Sequence, residues 1–109
     1  MKTTDKIRQQ IASNPVLIYM KGSPDLPMCG FSSNAVAALK STGAPFAHVD
    51  VLQNMPIMQA LPEVSDWPTF PQIFIDGELI GGGDIVIELN KQGELKPMME
   101  AAVSKAAGN

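Results

Sequence analysis

The order of the elements predicts an α/β fold: a small four-stranded mixed sheet flanked by helices on both faces. Three observations lead there. An apolar run, Val16-Leu17-Ile18-Tyr19-Met20, and a second one, residues 46–51, bracket a helix-like stretch from Phe31 to Lys40. Strand, helix, strand at this spacing is a βαβ unit, with parallel strands and a right-handed crossover. Further on, Gln72-Ile73-Phe74-Ile75 and Glu78-Leu79-Ile80 flank Asp76-Gly77, a hairpin signal. Helical periodicity fills the remainder, so the chain reads αβαβαββαα.

Taken in order, residues 5–13 place Ile7 and Ile11 four apart, one apolar helix stripe, which Asn14-Pro15 ends. Residues 16–20 are continuously apolar, as in a strand buried on both faces. In the next helix Ala35, Val36 and Leu39 form the buried ridge, and Ser41-Thr42-Gly43 closes it. Residues 55–61 predict a short helix carrying Ile57, Met58 and Leu61. Asp66-Trp67-Pro68-Thr69-Phe70-Pro71 reads as a stiff loop. After the hairpin, Asp84 is placed as a cap for the helix of Ile85 to Leu89, which Gly93 ends. Leu95, Met98, Met99, Ala102 and Val103 define a last amphipathic helix, with a frayed Ala107-Gly108-Asn109 end. One domain over 1–109 is expected, with no repeat or linker.

The stretch with chemistry is Leu26-Pro27-Met28-Cys29-Gly30-Phe31-Ser32-Ser33, which holds the only cysteine. It joins the first strand, through Gly22-Ser23-Pro24-Asp25, to the start of a helix. Helix N-termini present unpaired N–H groups and partial positive charge. Both favour thiolate, the nucleophilic and metal-ligating form. Pro27 keeps the preceding backbone extended, and Gly30 permits close approach of a bound molecule. Ser32 can hydrogen-bond a thiolate but cannot close a disulfide; it is equally an ordinary first-turn serine.

Bulk composition narrows the function classes. The chain has 109 residues, 45% hydrophobic, and a formal net charge of −3. No basic patch with interleaved aromatics points to nucleic acid. No apolar run nears the ~18 residues of a membrane span. The N-terminal residues run directly into a helical pattern, without the features of a leader. A single cysteine forms no internal disulfide, so no oxidising compartment is implied, and a cytoplasmic location fits.

The same order of elements, with a cysteine after the first strand and Thr69-Phe70-Pro71 before the hairpin, resembles the thioredoxin fold. Cys29-Gly30-Phe31-Ser32 narrows this further: the chain resembles the monothiol glutaredoxins, the single-domain bacterial type in particular. Tyr19-Met20-Lys21-Gly22, Trp67 through Gln72, and Gly81-Gly82 followed by Asp84 carry the resemblance along nearly the whole chain. It implies glutathione beside the cysteine, and a 2Fe–2S cluster held between two protomers and two glutathiones. That cluster would be passed to iron–sulfur client proteins or shared with BolA-like partners.

By the same resemblance Cys29 is the redox-active residue and cluster ligand, and Lys21 pairs with a glutathione carboxylate. Phe70, before a cis Pro71, pairs with the tripeptide backbone; Gly82, Gly83 and Asp84 hold its γ-glutamyl end. Two positions depart from the family. An arginine that would help Lys21 hold the glycyl carboxylate is replaced by Met58. Many members carry cysteine or serine where this chain has Gly83, so a resolving thiol is absent from that position.

Other features have plainer readings. His48 lacks metal partners at suitable spacing and is expected at the surface. Met98 and Met99 read as core filler, and Trp67-Pro68 as loop packing. Gly81-Gly82-Gly83 lacks the Lys-Ser/Thr of a phosphate loop and the spacing of a dinucleotide fingerprint. Three functions therefore compete. The first is an iron–sulfur cluster carrier, and the second a glutathione-dependent thiol–disulfide oxidoreductase working with one cysteine. The third is a non-catalytic binding module, which predicts an inert, buried thiol.

Overall fold

The computed structural model of the chain describes residues 2–108. Five helices and four strands follow the predicted order: α1 (Thr3–Ser13), β1 (Val16–Met20), α2 (Gly30–Ser41), β2 (Ala47–Asp50), α3 (Met55–Ser65), β3 (Gln72–Ile75), β4 (Glu78–Gly81), α4 (Gly83–Lys91) and α5 (Leu95–Ala106). The strands form one mixed sheet in the order β2-β1-β3-β4. β1 runs parallel to β2 and antiparallel to β3, and β3 pairs antiparallel with β4.

All five residues of β1 are buried, as its unbroken apolar run requires. Period-two alternation sends Val16, Ile18 and Met20 to one face, against α2, α4 and α5 through Val36, Leu39, Val86, Leu95 and Met99. Leu17 and Tyr19 point to the other, against Ile7 of α1 and Ile57 and Leu61 of α3. There Tyr19 and Phe74 meet edge to face, centroids 5.7 Å apart at 81°, a geometry worth about 0.5–1.5 kcal/mol beyond area burial. The buried Tyr19 hydroxyl donates to Gln10 Oε1 at 2.8 Å.

The hairpin is as predicted. Asp76 and Gly77 both take positive φ, 53° and 79°, the two-residue turn that suits strand twist. Met99 is buried, Met98 half-buried, and His48 exposed on β2. Asn109, the last residue of the expected frayed end, lies outside the described residues.

Three boundaries differ from expectation. The β2 strand covers 47–50 rather than 46–51, because Asp50 ends it. Its carboxylate accepts the N–H of Leu52 at 2.9 Å and starts a 3-10 turn at Val51–Gln53. The α3 helix runs to Ser65 and not 61. Pro62 lies inside it and removes a single N–H bond, while Leu61 and Val64 remain packed in the apolar layer. Asp84 is not the cap of α4. Gly82 occupies that position and Asp84 sits in the first turn, without a side-chain cap bond.

Candidate functional site

Cys29 stands at the N-cap of α2 with extended backbone, φ −153° and ψ 137°. Its carbonyl accepts the first helical bond, from Ser33 N–H at 2.9 Å. The thiol itself closes no cap hydrogen bond, and the residue is only partly buried. The sulfur is nevertheless held below the ordinary thiol range. The N–H of Ser32 does most, opposed by desolvation; the N–H of Phe31 and the Lys21 ammonium add to it. These are the unpaired donors of a helix start acting on an anion. Iodoacetamide alkylation of Cys29 should therefore reach its midpoint below the ~8.5 of a free thiol. A midpoint at or above that value would remove the electrostatic account.

The approach to Cys29 is tied on both sides. Gly22 pairs with Pro27 across the loop, and Met28 N–H donates to Lys21 C=O at 2.9 Å. Asp50 reaches over from the end of β2 to accept the Gly22 N–H at 3.0 Å. From the other side Lys40 Nζ donates to Pro24 C=O at 3.0 Å. Buried Ser32 accepts the N–H of Lys21 at 3.2 Å, fixing β1 to the first turn of α2. Nothing local in the sequence announces Asp50 as an anchor for a loop 28 residues away.

A cleft of 660 Å³ opens at this thiol, within the range of small-ligand sites. Cys29, Lys21, Met58, Phe70, Gly82, Gly83 and Asp84 all line it, with Phe31, Trp67, Pro68, Thr69, Pro71 and Ile85. Every residue that the resemblance assigned to glutathione or the cluster is thus in one place. Three chain-distant elements make the walls: the thiol turn, the 67–71 loop and the start of α4. The Phe70–Pro71 peptide is cis. Phe70 makes no backbone hydrogen bond among the described residues, so its N–H and C=O are available to a peptide. The start of α4 lies close to that of α2: a Cβ on Gly83 would stand 3.3 Å from the Phe31 carbonyl. Lys21 and Asp84 enter no ion pair among the described residues, leaving one cation and one anion at the cleft.

Trp67, expected as loop packing, also faces the cleft. Its indole forms part of the cleft wall, and a Cβ on Gly82 would lie 3.9 Å from Nε1. The segment is held by Gln72, whose Nε2 donates to Trp67 C=O at 2.9 Å and Thr69 C=O at 3.1 Å. Around the thiol, Leu26, Met28 and Phe31 are 68%, 62% and 68% exposed, and Ile85 is also exposed. A second hollow, of 380 Å³, lies between α1, α3 and the hairpin. It holds none of the predicted site residues and no thiol. Among the described residues, no group of three or more His, Cys, Asp or Glu could hold a metal ion, and no helix is long and apolar enough to cross a membrane.

The glutaredoxin family model matches residues 16–80. Glutaredoxin 4 of Escherichia coli K12 is 55% identical over 103 residues, covering 94% of this chain and 90% of that protein. The chain belongs to the glutaredoxin family. Its Cys29-Gly30-Phe31-Ser32 site, with one cysteine, makes it a monothiol member. Glutaredoxin 4 of Pasteurella multocida is 52% identical over 105 residues, 96% of each chain. Among solved structures, reduced apo GrxS14 of poplar superposes with TM-score 0.78 at 44% identity, covering 95% of this glutaredoxin and 99% of that chain. The buckwheat glutaredoxin–glutathione complex superposes with TM-score 0.79 at 29% identity, over 92% and 89% of the two chains. The sheet and its helices are those of the thioredoxin fold, as the order of elements predicted.

Proposed function

We propose that this monothiol glutaredoxin binds glutathione in the Cys29 cleft and carries a 2Fe–2S cluster between two protomers, as a single cytoplasmic domain over 1–109. The observation behind this is the meeting of one partly buried, electrostatically favoured thiol with a cation and an anion that enter no ion pair among the described residues, and a free peptide edge. Glutathione matches that set: two carboxylates, one ammonium, a peptide backbone and a thiol. Lys21 would take the glycyl carboxylate. The N–H and C=O of Phe70 would pair with the tripeptide as an added strand does. The helix start at Gly82 and Gly83 would hold the γ-glutamyl carboxylate, while the Asp84 side chain receives its ammonium. A buckwheat relative is described in complex with glutathione, which supports the same ligand here.

The donor set fits a shared cluster and not a private one. One chain offers one soft ligand, Cys29, at an exposed rim among apolar side chains. A second protomer would approach over Leu26, Met28 and Phe31, and glutathione would bring the remaining thiolates. BolA-like proteins and iron–sulfur clients would use the same face. The test is anaerobic reconstitution with iron, sulfide and glutathione, read by visible absorption and native mass. A coloured dimer holding two glutathiones supports the reading; a colourless monomer, with intact fold and bound glutathione, ends it.

The lowered titration of Cys29 and its place in the cleft also favour a second activity. Its thiolate would attack the glutathione sulfur of a mixed disulfide, releasing the protein thiolate. A second glutathione thiolate would then attack, regenerating Cys29 and leaving oxidised glutathione. Lacking a second cysteine, this reaction should be slow beside a two-thiol glutaredoxin under equal conditions.

Met58 tests the carboxylate end of the cleft. It lines the wall with Lys21, and an arginine there would add a charge-assisted hydrogen bond, roughly 1.5–3 kcal/mol before solvent screening. Met58→Arg should tighten glutathione binding in a calorimetric titration. Unchanged affinity would place the glycyl carboxylate elsewhere.

A further inference from the structure

We infer that Gln72 is the positioning residue of the glutathione cleft, holding the 67–70 wall in its binding-competent shape from a seat inside the sheet. This deepens the glutathione reading and rests on it.

Gln72 opens β3, and its backbone is registered opposite Tyr19 of β1, so its main chain belongs to the rigid sheet. Its side chain is fully buried. Both donor positions of the amide are engaged, to Trp67 C=O at 2.9 Å and Thr69 C=O at 3.1 Å. These two carbonyls flank Pro68, so one amide fixes the segment at two points. A third tie comes from Trp67 N–H to Ser65 Oγ at 3.2 Å. The segment has no strand or helix of its own, and its residues are the wall: Trp67, Pro68, Thr69 and Phe70 all line the cleft.

The amide is a poor choice for stability alone. Its Oε1 is buried with no hydrogen-bond partner among the described residues, which opposes folding. Methionine of similar length would avoid that orphan acceptor. The two carbonyls it holds belong to exposed residues, which can turn to water. What the glutamine supplies and an apolar residue cannot is the position of the loop. Holding a binding loop in its bound shape raises affinity without adding a contact to the ligand.

Gln72→Met is the test, because Trp67 is the only tryptophan in the chain and reports on its own segment. Three quantities are read: the melting transition, acrylamide quenching of Trp67, and glutathione affinity by calorimetry. Melting should stay near the wild-type value while quenching rises. The dissociation constant should increase about fivefold to tenfold, as expected when a pre-organised wall must be ordered on binding. Wild-type quenching and affinity in a folded variant would overturn the inference. So would weaker binding without increased quenching, since that points to a general structural role. If Gln72→Met does not fold, Ser65→Ala loosens the same segment from its other end. It should raise quenching to a smaller degree, and unchanged quenching and affinity would count against the clamp. If the wild-type chain takes up no glutathione, the functional reading falls, and the quenching comparison alone decides whether Gln72 orders the loop.

Discussion

Cys29→Ser, reconstituted with iron, sulfide and glutathione, is expected to yield a colourless monomer, whereas the wild-type chain yields a coloured dimer. The reasoning is a count of ligands. A 2Fe–2S cluster takes four thiolates in its all-cysteine form. Two chains supply two, and His48, exposed on β2, is not among the cleft-lining residues. A serine hydroxyl is a hard donor and replaces a soft thiolate poorly. Two more thiols must come from solution, so omitting glutathione should have the same effect as the mutation. The fold should survive. Cys29 makes no side-chain cap bond in α2, and serine is a favoured N-cap residue, so melting should be unchanged or slightly higher. A full cluster on the serine variant, or one on a wild-type monomer without glutathione, would overturn this ligand assignment. Thiol-transfer activity should vanish in the same variant.

Gly22→Ala should be the most damaging single-methyl change near the site. Gly22 holds φ at +92°, and an added Cβ would stand 2.5 Å from Leu26 O and 2.7 Å from Met28 N. Both neighbours are backbone atoms, so neither can turn aside as a flexible side chain would. The loop would have to open, breaking the Gly22–Pro27 pairing and the bond to Asp50. A loss of roughly 2–3 kcal/mol follows from backbone strain of this kind. For a chain of this size that lowers the melting temperature by about 10–15 °C. Glutathione affinity should fall as well, because Lys21 is the neighbouring residue. Wild-type melting and affinity in this variant would show that the turn relaxes at little cost.

Much of this molecule was readable because its signals are local. The run at 16–20, the Asp76-Gly77 turn and a cysteine before a helix each depend on a few adjacent residues. The errors have a common source, which is contact across the chain. The helix expected over 55–61 runs on to Ser65, with Leu61 and Val64 packed in the apolar layer. Asp84 looked like a cap, yet the chain enters α4 two residues sooner through Gly82. Ser65 and Gln72, which seat the backbone of Trp67, cannot be recognised as its partners from spacing. Asp50 gave no sign of reaching Gly22. The cleft itself gathers residues 21, 29, 58, 70 and 82–84, and periodicity alone does not join them. Resemblance to a family did.

The sheet divides the interior into two layers that share β1 and β3 but otherwise differ in their helices. One layer is built with α1 and α3, the other with α2, α4 and α5. Most of the cleft's helical material, including the sulfur and the start of α4, belongs to the second layer. The first can therefore breathe without dismantling the chemistry, and subglobal openings of this kind are common in folded domains. Amide hydrogen exchange should divide accordingly, with α1 and α3 exchanging together and sooner than β1, β3 and the inner face of α2. Met58, set on α3, would share the quicker fluctuation. The Met58 side of the cleft would then move on a timescale of its own, while the thiol and the 67–70 segment tied to Gln72 stay still.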